Sequence, residues 1–136
     1  MPSPEDLLDT NICIYALKRR PPEVLSRLER LTPADVAVSA VTAAELRFGA
    51  SKSSAPERNH RVLDVSLGHI NVLAFDVDAA TSYGRVRAHL ERRGRPIGAM
   101  DTLIAAHALS LGATLVSNNV REFKRVPRLR CENWVS

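Results

Sequence analysis

Three carboxylates, Asp9, Glu45 and Asp101, stand where this chain can concentrate negative charge. Asp9 closes the apolar pair Leu7-Leu8 and opens Asp9-Thr10-Asn11, which runs straight into a helical pattern. An aspartate there lies at the carboxyl end of a strand, the edge at which open α/β sheets take their ligands. Glu45 and Asp101 each fall in the first turn of a later expected helix. Asp9 follows the first strand, Glu45 follows the second and Asp101 precedes the fourth, so a doubly wound sheet can bring all three to one edge. Carboxylates brought within a few ångströms repel one another, and one takes up a proton unless a cation is present. Mg²⁺ suits such a set. It wants oxygen ligands, keeps several waters and uses one or two carboxylates together with a substrate phosphate. Water on the ion becomes a usable nucleophile, and the ion stabilises charge on the phosphate.

Each acid also has an ordinary reading. Asp9 can cap the first helix, with Thr10 and Asn11 competing for that place. Thr42-Ala43-Ala44-Glu45 has the form of a capping box. Asp101 in a first helical turn is favoured by roughly 0.3–1 kcal/mol through the helix dipole. The conjunction of all three points to a metal; no single residue does.

The elements that must position these acids alternate between strand and helix. Strands are expected at Leu7-Leu8, Val36–Ser39, Ile70–Phe75, Ala113–Val116 and Arg130–Trp134. Helices are expected over Asn11–Lys18, from Pro22 through Leu31, over Thr42–Gly49 and over Glu57–Gly68, the last with Val62, Leu63 and Leu67 facing inward. A further helix is capped by Asp78 and carries Tyr83, Val86 and Leu90 on one stripe. Asp101–Leu111 forms the next, closed by Gly112 and burying Ile104, Ala108 and Leu111. This alternation favours a parallel sheet covered on both faces.

Composition narrows the class. The chain of 136 residues, 45% apolar and 25% charged, fits one ordinary globular domain over 1–136. It has no apolar run long enough for a membrane span. The amino terminus is polar and acidic rather than signal-like, so the expected location is the cytosol. Cys13 and Cys131 form no CxxC pair and read as reduced thiols rather than zinc ligands or a redox dithiol. The formal net charge of +4 permits a polyanionic partner, and aromatics at 4% make base stacking an unsuitable main contact. Arginines gather in two stretches, from Arg85 to Arg95 and from Arg121 to Arg130.

At this point the motifs carry a resemblance. Leu7–Asn11, Thr42–Leu46, Met100–Ala108, Val116–Phe123, Ser53–Asn59 and Cys131–Trp134 resemble, in order, the motifs of PIN-domain ribonucleases, and more narrowly those of the VapC toxins of type II toxin–antitoxin pairs. The resemblance implies a three-layer α/β/α sandwich on a mostly parallel sheet of four to five strands. It implies an endoribonuclease dependent on Mg²⁺ or Mn²⁺, cutting RNA, commonly tRNA. It further implies a homodimer and a hetero-oligomer with a VapB-type antitoxin, with no membrane partner. By matching positions, Asp9 and Asp101 would be the principal metal ligands. Glu45 would act as a ligand through water or orient the nucleophile, and Thr10 would support the aspartate loop. The chain departs from the pattern where many PIN domains carry a fourth acid after the fourth strand. Asn119 stands there, and Glu122 in the same turn can supply a carboxylate instead.

Among the remaining candidates, Arg93, Arg95, Lys124 and Arg125 are the expected RNA phosphate contacts. His107, within an apolar helix, reads as structural. Phe48, Phe75 and Trp134 read as core. Two other classes fit less well. An aspartyl-phosphate phosphotransferase of the haloacid-dehalogenase type needs a second aspartate two places after the first, where this chain has Asn11; a receiver domain needs a late lysine that Val116-Ser117-Asn118 does not offer. A non-catalytic PIN-like module that binds RNA or protein leaves three intact acids unexplained.

Overall fold

The structure is a computed structural model that describes residues 3–135. Met1, Pro2 and Ser136, the ends of the expected 1–136 domain and of its polar amino terminus, lie outside the described residues. Five strands, β1 (Asp6–Leu8), β2 (Val36–Ser39), β3 (Asn71–Leu73), β4 (Thr114–Val116) and β5 (Cys131–Glu132), form one sheet in the order β3-β2-β1-β4-β5. Every neighbouring pair is parallel. Seven α-helices connect them: α1 (Thr10–Lys18), α2 (Pro22–Glu29), α3 (Ala40–Ser51), α4 (Pro56–Gly68), α5 (Val77–Arg92), α6 (Ala99–Leu111) and α7 (Val120–Phe123), with a 3-10 turn at Pro33–Asp35. The chain winds outward from β1 to β3 on one side, then crosses over to β4 on the other. The crevice between the carboxyl ends of β1 and β4 is therefore the topological switch point, where such sheets bind ligands.

Alternation along the strands divides the core in two. Leu7, Ala37 and Leu115 point to the face covered by α5 and α6, where they pack with Val86, Leu90, Ile104 and Ala108. Leu8, Val38 and Val116 point to the other face and pack with Ile12, Val24, Leu46, Leu63 and Trp134. This is the expected three-layer sandwich. Gly112 closes α6 at φ 66°, a left-handed backbone that glycine adopts without steric cost. Among the described residues no helix is long and apolar enough to cross a membrane.

Several local expectations are corrected. α3 starts at Ala40, not Thr42, because the Ser39 hydroxyl at the end of β2 already accepts from the Val41 N–H at 3.0 Å. Strand passes directly into helix, and Thr42 and Glu45 form no capping box. Asp76, not Asp78, caps α5, accepting from the Ala79 N–H at 2.9 Å. In α4, Leu63 is buried and Leu67, one turn on, packs beside it. Val62 lies a third of a turn away and is 47% exposed. Phe48 is not core: it is 64% exposed, with the Lys52 ammonium 5.0 Å from its ring centre. β3 and β5 are shorter than expected. Both cysteines are free, as expected, Cys13 buried and Cys131 half-buried.

Candidate active site

The pocket begins with the turn out of β1. The Asp9 N–H donates to the Val116 carbonyl at 3.0 Å, which ties the end of β1 to the end of β4. The Asp9 carboxylate then accepts from the Ile12 N–H at 2.9 Å and caps α1. The capping reading of Asp9 is thus true as well. Asp9 is only 3% exposed. Burial pushes its pKa up, opposed by hydrogen bonds from the Ser117 hydroxyl and the α1 backbone. Ser117 also accepts from the Asn119 N–H at 2.8 Å, so one fully buried hydroxyl joins Asp9 to the turn after β4. Reading the sequence did not pick out Ser117. The signal was present, because Ser117 directly follows β4 just as Asp9 directly follows β1.

Glu45 comes from the second turn of α3. The Thr10 hydroxyl donates to its Oε1 at 2.5 Å and lies 3.3 Å from the buried Thr42 hydroxyl. Thr10 and Thr42 thus fix α1 to α3 and aim the carboxylate. Thr42, expected as a cap, serves here as an interior brace.

Asp101 sits in the first turn of α6 and is half-buried. Its pKa is pushed up to about 6, first by burial and then by the negative charges of Asp9, Glu45 and Glu122. Four acids from four elements therefore share one electrostatic neighbourhood. Asn119 is turned toward Glu122, its side-chain N–H donating to Oε2 at 3.0 Å. The neutral amide at this position thus orients a carboxylate that Asp101 feels.

Among the described residues no three His, Cys, Asp or Glu side chains are drawn close enough together to make a closed ligand set, so nothing here has the form of a structural zinc site. The donor chemistry nevertheless fits a hard, hydrated cation. The acids are all oxygen donors, and a cation would relieve the repulsion that raises Asp101. His107, the nearest ring in sequence, is buried on α6. Its Nδ1 lies 2.8 Å from the Ser39 hydroxyl and Phe75 packs edge-on at 5.4 Å, which gives it a structural role.

The expected RNA contacts take different positions. Arg93 and Arg95 are exposed on the segment that leads from α5 into α6, and Lys124 is exposed after α7. Arg125 is half-buried and donates to the Pro96 carbonyl at 3.1 Å, bracing that same segment.

Comparison with known proteins agrees with this geometry. The PIN domain profile matches residues 7–129. The chain is 48% identical over 128 residues to the tRNA(fMet)-specific endonuclease VapC of Shigella flexneri, covering 94% of this chain and 96% of that one. It is 49% identical over 129 residues to ribonuclease VapC2 of Haemophilus influenzae, covering 95% and 97% respectively. Among solved structures, DNA-bound VapBC from Salmonella typhimurium superposes with a TM-score of 0.91 at 42% identity, covering 96% of this chain and 98% of that one. An ordered set of acidic motifs, a β1–β4 switch-point pocket and relatives matched almost end to end place this chain in the PIN-domain family, among the VapC ribonucleases.

Proposed function

We propose that this chain is an endoribonuclease toxin that depends on a divalent metal, Mg²⁺ or Mn²⁺, cuts tRNA and is neutralised by a cognate antitoxin. What supports the reading is the PIN domain match over residues 7–129, together with the placement of Asp9, Glu45 and Glu122 where their charges raise the pKa of Asp101. Asp9 and Asp101 would hold the ion directly. Glu45 would hold it through water or orient the attacking water, with Thr10 fixing its carboxylate. Glu122, steered by Asn119, supplies further negative charge at the rim. The ion, when bound, would supply a more acidic water and a counter-charge for the scissile phosphate. Arg93, Arg95 and Lys124 would meet neighbouring phosphates, which need positive charge rather than aromatic platforms. Arg125 would hold their segment in place.

The tRNA assignment rests on what the Shigella relative is named for cutting. The antitoxin assignment rests on the complexes in which the structural neighbours are found. It is supported by an apolar groove of about 340 Å³ lined by Leu17, Leu25, Leu28, Leu67 and Ile70, which suits the apolar face of a partner helix. A basic side chain from such a partner would neutralise the acids and exclude metal. Homodimerisation is part of the same reading. The test is cleavage of tRNA by purified protein with and without Mn²⁺, and growth arrest relieved by co-expressing the adjacent reading frame. Metal-independent cleavage, or an arrest that the neighbour does not relieve, contradicts the reading.

A further inference from the structure

We propose that a second, basic cleft on the α5 face binds consecutive backbone phosphates of the RNA, apart from the acids that would cut it. The cleft, about 570 Å³, lies between α5, the end of α6 and the segment that follows α7. Arg85, His89 and Arg92 line it from α5, and Arg128 and Arg130 from the facing segment. The sequence shows these as parts of two separate arginine runs, and the fold brings them to one concavity.

One observation marks the cleft as a site rather than a solvated face, and two more describe how its wall is held. First, no aspartate or glutamate lines it, and none of its four arginines forms an ion pair among the described residues. Guanidinium groups gathered without a counter-charge repel one another and favour an anion between them. Second, Arg128 holds a left-handed backbone at φ 66°, a conformation that costs a non-glycine residue roughly 1–2 kcal/mol. Arg19, which caps α1 outside the cleft, holds the same backbone, so this conformation sets the course of the Arg128 segment and does not itself select an anion. Third, Arg130 donates to the Gly112 carbonyl at the end of α6, which anchors the facing segment there.

Location and shape select the ligand. Gly112 and Ala113 lead into the amino end of β4, whereas Asp9 and Ser117 follow carboxyl ends. The cleft is thus distinct from the acidic pocket. Arg85 and Arg92 are seven residues apart on one helix, a rise of about 10 Å, longer than one phosphate can bridge. Of the lining residues only His89 carries an aromatic ring, and no Phe, Tyr or Trp is among them, so base stacking would be a minor contact there and the backbone the main one.

This inference rests on the ribonuclease reading for the identity of its ligand, and its test is built to fail separately. Binding of fluorescently labelled total tRNA is measured by anisotropy across a salt series, in an Asp101→Asn background that removes cleavage. The expected result for Arg85→Gln/Arg92→Gln/Arg128→Gly is an affinity loss of about tenfold or more and a salt slope shallower by about two. Arg128→Gly removes charge while relieving the backbone, so its melting temperature should not fall. A control, Arg30→Gln/Arg58→Gln/Arg61→Gln, removes equal charge from exposed positions elsewhere and should leave affinity within about threefold. Equal losses in both triples, or no loss in the first, overturn the proposal. If inorganic tripolyphosphate binds wild type but not the cleft triple while tRNA affinity is unmoved, the cleft serves a free polyphosphate, and the RNA assignment falls. If wild type cuts no RNA but the cleft triple alone loses tRNA affinity, the ribonuclease reading fails and the cleft stands.

Discussion

On the β1 side of the acidic pocket, Asp9 and Glu45 are held by the protein itself. On the α6 side, Asp101 is held against its neighbours. Asp9 receives bonds from the α1 backbone and from Ser117, and Glu45 receives the Thr10 hydroxyl. Asp101 is only half-buried, feels three negative charges and gains no compensating hydrogen bond among the described residues. One side of the site is satisfied by hydrogen bonds, and on the other like charges face one another. Such a division would keep Asp9 and Glu45 pre-positioned as ligands while leaving an excess of negative charge that a proton, a metal or a partner's basic side chain would offset.

The largest effect that tests this contrast is loss of either aspartate. Asp9→Asn and Asp101→Asn should each lower tRNA cleavage on the order of a thousandfold, about 4 kcal/mol of barrier. Their stabilities should diverge. An asparagine in place of Asp9 still caps α1, so metal-free Asp9→Asn should melt close to wild type. Asp101→Asn removes like-charge repulsion and should melt higher, by an amount equivalent to about 0.5–1 kcal/mol after screening at this half-exposed site. A lower melting temperature for Asp101→Asn would remove the distinction between the two sides.

The pH dependence follows from the same residue. The folded-state pKa of Asp101, about 6, lies above its ordinary 3.8. The folded protein therefore binds this proton more tightly than the unfolded chain, and the metal-free protein gains stability from Asp101 as pH falls through about 6 toward 3.8. Metal competes with that proton. Mn²⁺ affinity, measured by calorimetry, should fall about tenfold per pH unit below pH 6, with cleavage following it. A flat affinity between pH 5 and pH 7 would show that Asp101 takes no part in binding.

Thr10→Val should cost less, because it frees Glu45 without removing it. Cleavage should drop about 10- to 100-fold, and stability should fall by about 1 kcal/mol in a urea titration. The smallest effects belong to the rim. Glu122→Gln and Asn119→Ala should each change cleavage by less than about tenfold. Glu122→Gln should also lower the apparent pKa of Asp101, followed by NMR titration of the metal-free protein, because it deletes one of the three charges that raise it.

Much of the layout was legible in the sequence because it depends on local rules. The bounds of β2 hold as read. Gly112 marks the end of α6 by its need for a left-handed backbone. The Asp9-Thr10-Asn11 turn falls where an apolar run stops. What escaped was decided by competition between near-equivalent residues or by contacts between distant ones. Ser39 and Thr42 can both cap a helix, and only the direct exit from β2 gives the role to Ser39. Asp76 and Asp78 compete in the same way. Phe48 has the composition of a core residue, but its helix turns it outward beside Lys52. Ser117 and Thr42 became site residues through contacts across the sheet edge that no spacing announces. The acids themselves were readable as a set because each sits at a strand end or near the start of a helix, whereas the gathering of Arg85, Arg92, Arg128 and Arg130 depends on how α5 packs beside the segment after α7.

The most direct measurement is cleavage of tRNA by protein stripped with EDTA and then reloaded with Mn²⁺, with product ends mapped for wild type and Asp101→Asn side by side. The metal-ribonuclease reading requires no cuts after stripping, discrete cuts restored by Mn²⁺ in wild type, and cutting slower on the order of a thousandfold in Asp101→Asn at any metal concentration that sustains wild type. The same discrete cuts from stripped protein, or from Asp101→Asn at the wild-type rate, would contradict it.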